Sequence, residues 1–241
     1  MTSTPTLLEM LRAGLHFGHR ASKWHPKMKP FIFGERSVIH ILNLEKTSEA
    51  IDAALAFVRE LSSKNGVILF VGTKPQAQEI VKREATGALM PYVTERWLGG
   101  TLTNFRVIYD LIKRFLELKR QRDAGELVKY TKYEQLKISE EIGEMEHKVG
   151  GISSLTRLPD AIFILDLKHE KTAFREAQAV KMPIVAICDS NVNPDGVAYP
   201  IPGNDDAVSA IEMVVGLIAG AVKQGKQEDT IASEAKQSQS V

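Results

Sequence analysis

The chain has 241 residues, 44% hydrophobic and 25% charged, which suits a globular domain of moderate size with room for an inserted subdomain. Its single cysteine, Cys188, excludes an internal disulfide and a cysteine-based zinc finger, and it fits a reducing compartment. No apolar run reaches the roughly 18 residues a membrane span needs, and MTSTPTLLEM resembles neither a signal nor a transit peptide, so the cytoplasm is the expected location.

In chain order, Leu7, Leu8, Leu11 and Leu15 have the spacing of a short amphipathic helix. A loop rich in Gly, His and Pro follows from Gly18 to Gly34, then a strand over Val38 to Leu42. Thr47 to Leu61 predicts a helix, with Ile51, Ala54, Leu55 and Val58 on one face and Asn65-Gly66 closing it. The continuous apolar run Val67 to Val71 predicts a strand covered on both sides. Pro75 to Ala85 reads as a helix and Tyr92 to Thr94 as a short third strand.

Asn104 to Asp123 and Thr131 to Val149 then read as two long charged helices separated by Gly125. Their apolar positions (Ile108, Leu111, Phe115 and Leu118; Ile142, Met145 and Val149) form narrow stripes, which predicts a protruding antiparallel hairpin rather than a buried core element. Gly99-Gly100 and Gly150-Gly151 flank it as flexible joints. A strand over Ala161 to Leu165, a helix over Glu170 to Lys181 and a strand over Ile184 to Cys188 resume the α/β rhythm. After a turn-rich stretch from Asp189 to Asn204 comes a last helix, Asp205 to Val222, and the polar remainder reads as a disordered tail. The expected fold is α/β: a doubly wound, mostly parallel sheet with helices on both faces and an inserted antiparallel helical hairpin. Residues 1–103 and 150–222 form a discontinuous α/β domain, 104–149 the hairpin insertion and 223–241 the tail.

Formal net charge is only +1, but the charge is segregated. Residues 10–40 and 96–122 each carry a net +5, whereas residues 188–229 carry a net −5. That division predicts a polyanion-binding face and a separate acidic face for proteins. In the first basic zone Arg20, Lys23, Trp24, Lys27 and Lys29 interleave cations with an aromatic ring, a mixture suited to irregular RNA. The second supplies Arg96, Arg106, Lys113 and Arg114, with Asn104 placed to cap the helix it precedes.

Two other chemistries are open. Gly72-Thr73-Lys74-Pro75 joins a strand to a helix, where a phosphate can sit. Lys74 is thus a surface lysine on a tight turn, an RNA phosphate contact, or part of an enzyme site for a phosphorylated small molecule. No Gly-x-Gly-x-x-Gly or Walker A spacing accompanies it, and Pro75 removes a backbone donor. His19 with Asp189 and Asp205 could hold zinc or magnesium, although no two of His16, His19 and His25 have helical ligand spacing; loop-anchoring hydrogen bonds are the simpler role. No cofactor is otherwise expected. A third possibility is a protein adaptor built on the hairpin and the acidic C-terminal face.

Seven segments, in order, resemble one family: Gly14-Leu15-His16-Phe17-Gly18-His19; Trp24-His25-Pro26-Lys27-Met28 with Pro30-Phe31-Ile32-Phe33-Gly34; Ile41-Leu42-Asn43-Leu44-Glu45-Lys46-Thr47; Phe70-Val71-Gly72-Thr73-Lys74; Arg96-Trp97-Leu98-Gly99-Gly100-Thr101-Leu102-Thr103-Asn104; Leu158-Pro159-Asp160-Ala161; and Ile201-Pro202-Gly203-Asn204-Asp205-Asp206-Ala207. From about residue 6 to 222 the chain is similar to the bacterial-type family of small-subunit ribosomal protein two. The resemblance implies a structural, non-enzymatic constituent of the small ribosomal subunit that joins late, on the solvent side between head and body. Its implied partners are ribosomal RNA, neighbouring small-subunit proteins and the large messenger-binding protein of that subunit. The implied setting is the ribosome, in the cytoplasm or an organellar stroma or matrix. His25 departs from the family's more usual Asn, and residues 190–199 are less typical.

Overall fold

The structure, a computed structural model, describes residues 4–238, with side chains described through residue 228. Helix α1 (Leu7–Arg12) leads into strand β1 (Phe17–Arg20), and two 3-10 turns, Ala21–Lys23 and Pro26–Phe31, carry the chain to β2 (Ile32–Arg36) and β3 (Ile39–Leu42). These strands form an antiparallel sheet of order β1-β3-β2. The expected loop from Gly18 to Gly34 therefore contains strand, and the strand expected over Val38 to Leu42 stays outside the parallel sheet. The β2–β3 turn explains the difference. Ser37 and Val38 both adopt positive φ, 52° and 66°, a conformation that hairpin turns usually assign to Asn or Gly. A β-branched residue there gives no turn signal in sequence.

Helix α2 (Leu44–Ser62), β4 (Ile68–Val71), α3 (Pro75–Gly87) and β5 (Tyr92–Val93) come next, followed by α4 (Phe105–Asp123) and α5 (Lys132–Val149). The chain ends with β6 (Ala161–Ile164), α6 (Lys171–Ala179), β7 (Ile184–Cys188), β8 (Tyr199–Pro202) and α7 (Val208–Ser238). The five-stranded sheet has the order β5-β4-β6-β7-β8 and is parallel throughout. Strand β8 lay hidden in the expected turn-rich stretch because Pro200 and Pro202 interrupt it. As the sheet edge, pairing only with β7, it tolerates them.

Alternate residues of the central strands feed two cores. Ile68, Phe70, Phe163, Val185 and Ile187 pack under α2, α3 and α7. On the other face Leu69, Val71, Ile162, Ile164 and Ala186 pack under α6 and the root of the hairpin. Ile108, Ile112, Phe115, Ile142, Met145 and Val149 are buried in this second core, so only the outer part of the hairpin stands free. Val128 at its far end is 81% exposed. The joints are not loose either. A Cβ at Gly151 would lie 2.3 Å from the Tyr92 carbonyl oxygen, so the second root presses directly on β5.

Helix α7 passes Val222, where the sequence pattern ends, and continues to Ser238; residues 239–241 of the expected tail lie outside the described residues. Gln, Lys, Glu and Ala are good helix formers, and Lys226 donates to the carbonyls of Ala88 and Leu89. The stretch Val208–Glu228 has the length and apolar content of a membrane span, with a mean hydropathy of 1.3, but Ile211, Val214, Val215, Ile218 and Val222 are buried against the sheet.

Gly225 meets α2 closely: a Cβ there would lie 2.4 Å from the Arg59 carbonyl oxygen. Gly225→Ala should therefore destabilise the protein by about 1–3 kcal/mol through overpacking. In a helix free of α2 the same change would stabilise by about 1 kcal/mol, so the sign of the shift in urea midpoint decides between the two.

Candidate nucleic-acid interface

Strands β4, β6, β7 and β8 end side by side, and the residues just beyond their C-termini converge on one charged crevice. Lys74 follows β4, and its Nζ lies 2.7 Å from Asp166 Oδ2, 2.9 Å from Asp205 Oδ1 and 2.8 Å from Asp206 Oδ1. Its side chain is 13% exposed. Burial disfavours the ammonium, but the three carboxylates outweigh it and hold the Lys74 pKa above its ordinary value. Burial also works against the Asp166 carboxylate, which is nonetheless held low by Lys74 and by the amides of Lys168 and His169. For Asp205, burial and the neighbouring charges of Asp166 and Asp189 prevail over Lys74 and push the carboxyl up to about 7.

Lys74 is thus an internal counter-ion with little charge to offer a phosphate. The turn's other polar groups are also committed: the Thr73 amide and hydroxyl both donate to Glu170 Oε1, at 2.7 and 2.6 Å. This geometry removes Lys74 from the expected RNA contacts and leaves no phosphate cradle for the enzymatic alternative.

The His19 loop closes over the same crevice. His19 Nδ1 lies 2.9 Å from Asp189 Oδ2 and its Nε2 lies 3.6 Å from Asp206 Oδ2. The hydrogen bond to Asp189 raises the His19 pKa against the effect of burial. Ser190 fastens the loop as well, its hydroxyl accepting from the His19 amide at 2.8 Å and its carbonyl from the His25 amide at 2.8 Å. His25 Nδ1 in turn accepts from the Lys27 amide. The metal set expected from sequence changes accordingly. Among the described residues, the atoms within 4.8 Å of one another belong to His19, Asp205 and Asp206, while Asp189 stands behind the imidazole. Lys74 Nζ lies within ion-pairing distance of both Asp205 and Asp206, the two carboxylates of that group.

A second buried carboxylate shapes the segment before the hairpin. Glu176, on α6, accepts hydrogen bonds from Trp97 Nε1, from the amides of Gly100, Leu102 and Thr103, and from the Thr103 hydroxyl. Burial alone would raise its pKa, but these donors outweigh it and hold the carboxyl below its ordinary value. Nothing in the sequence marked Glu176, which looks like one more charge on an amphipathic helix. Trp97 is therefore a buried anchor for the loop, whose exposed cation is Arg96.

The remaining expected contacts divide sharply. Arg20, Lys23, Lys29, Arg96 and Arg106 are exposed and form no ion pair among the described residues. Lys27 pairs with Asp195, Arg114 with Glu141 at 2.6 Å, and Lys113 lies 4.2 Å over the Tyr109 ring and 4.0 Å from Asp110. Trp24 is exposed, its ring 5.4 Å from that of His40. Asn104 is exposed and makes no side-chain cap bond, contrary to its expected capping role.

Two measurements check this account. Glu176→Ala should cost about 3–5 kcal/mol by leaving several buried donors unpaired, and amide exchange at Gly100, Leu102 and Thr103 should accelerate in it before the sheet opens. The crevice also predicts a pH slope. Folded Asp205 and His19 both hold their protons more tightly than in the unfolded chain. Their contributions are therefore present at lower pH and are lost as pH rises through their raised pKa values. From about pH 5 to about pH 8 the melting temperature should fall, and Asp205→Asn should flatten that slope.

Comparison with known families agrees with this arrangement. The family model for Ribosomal protein S2 matches residues 10–225, which takes in both sheets, the hairpin and the crevice. Members are structural constituents of the small ribosomal subunit and act in translation rather than as enzymes, consistent with a βα turn whose lysine is spent on internal carboxylates. The chain belongs to the ribosomal protein S2 family.

Proposed function

We propose that this chain binds small-subunit ribosomal RNA through two patches of unpaired cations. Arg20, Lys23 and Lys29 with Trp24 make one, and Arg96 and Arg106 with Asn104 make the other. The observation that carries the reading is the contrast in pairing: Lys27, Lys74 and Arg114 are neutralised internally, whereas these five cations have no partner among the described residues. Unpaired exposed cations are available to displace counter-ions from a phosphate backbone. Trp24 adds a stacking surface for an unpaired base.

The remaining surface serves neighbouring small-subunit proteins, including the messenger-binding protein, and brings the chain into the subunit in the cytoplasm. Support comes from α1, which leaves Leu7, Leu8 and Leu11 exposed. The hairpin's outer part is a second protein-facing or RNA-facing arm.

Purified protein should bind small-subunit RNA with a steep salt dependence. Changing Arg20, Arg96 and Arg106 to Ala should reduce the slope of log K against log salt by about 1 for each phosphate left without its cation, with an unchanged melting temperature. An unchanged slope in the triple variant, or a wild-type protein that stays out of the small-subunit peak on a low-salt gradient, would overturn the reading.

A further inference from the structure

Helix α6 and the segment after β7 flank an open cleft of about 310 Å³. Its lining includes Lys168, Lys171, Phe174, Arg175, Asn191 and Asn193. The three cations are exposed and form no ion pair among the described residues. They follow one another at spacings of three and four residues, so they line one face of the helix region and repel each other. An anion seated on that face would remove the repulsion. Below them the cleft is apolar, since Leu167 and Val192 in its lining are each 5% exposed and Phe174 packs against the same core. Asn191 Oδ1 is buried and accepts no hydrogen bond among the described residues, so that end of the amide is not committed to the fold.

Three cations, an aromatic ring and side-chain amides in one lining form a set that suits one nucleotide. The volume lies at the low end for ligand sites, enough for a single base with its phosphate and too small for a dinucleotide cofactor. We propose that this cleft receives one unpaired nucleotide of the RNA bound by the chain. Its base stacks on Phe174, its phosphates meet Lys168, Lys171 and Arg175, and its polar edge meets Asn191 and Asn193. The assignment rests on the RNA-binding reading above but uses none of the same residues. Asn193 Oδ1 already accepts from the Asp195 amide, and an acidic protein segment would satisfy the cations alone and leave the ring without a role.

The test uses small subunits rebuilt with wild-type protein, with Phe174→Leu or with Arg175→Gln, probed for base reactivity across the RNA. The expected result is an unpaired base that wild-type protein shields and that both variants leave reactive, while both variants still sediment with the subunit. Identical reactivity maps would overturn the cleft assignment. A wild-type protein absent from the subunit would instead overturn the RNA-binding reading itself. A second measurement titrates purified protein with a labelled single-stranded oligonucleotide. Affinity should fall about tenfold in Phe174→Leu, the loss of one base stack. Competition by free AMP or UMP at matched concentration would assign the cleft to a free nucleotide, and competition by polyglutamate with equal binding by Phe174→Leu would assign it to an acidic peptide. Either result overturns the proposal.

Discussion

Lys74 lies just beyond β4 with its ammonium between the carboxylates of Asp166, beyond β6, and of Asp205 and Asp206, beyond β8. This one cluster ties together three strand ends that open α/β sheets ordinarily leave as a ligand crevice. The cost is considerable, because buried ions surrender hydration that their mutual attraction only partly returns. What the arrangement supplies is definition. With the lysine in place the carboxylates can converge despite their mutual repulsion, and the loop after β8 and the His19 loop can close over them. A site of catalytic appearance in sequence thus becomes a joint within the fold.

Glu176 repeats the device on the opposite face. Its carboxylate gathers Trp97 and the amides of Gly100, Leu102 and Thr103, so the loop bearing Arg96 is held in shape from α6. The same helix turns Lys171 and Arg175 outward over the cleft. One nine-residue helix therefore holds the loop bearing Arg96 from within and presents cations without. In both places buried acidic groups spend their charge on structure, so a chain of net charge +1 still presents exposed cations such as Arg96 and Arg106.

Legibility followed the physics of each element. The runs Ile68–Val71, Ala161–Ile164 and Ile184–Cys188 were readable because strands buried on both faces must be apolar without interruption. Both hairpin helices were readable from their stripes, although their packing at the root was not, since a stripe does not reveal how much of its length meets a core. The small antiparallel sheet was obscured by a left-handed turn at Ser37 and Val38, and β8 by its prolines. At the site, sequence could nominate His19, Lys74 and Asp205 as chemically capable. Their partners come from strands far apart in the chain, and Asp166 and Glu176 carried no local signal. Which of the basic residues would be internally neutralised was equally a matter of tertiary structure.

Gly151 presses its backbone against the Tyr92 carbonyl at one root of the hairpin, and Glu176 holds the Gly100 amide near the other. Mechanically the hairpin is then a cantilever, built in at both chains of its base and free only at the tip. A load applied near Val128 must travel down α4 and α5 as bending and arrive at β5 and the loop carrying Arg96. A partner gripping the far end of the arm and an RNA held at its foot would feel each other through a stiff beam.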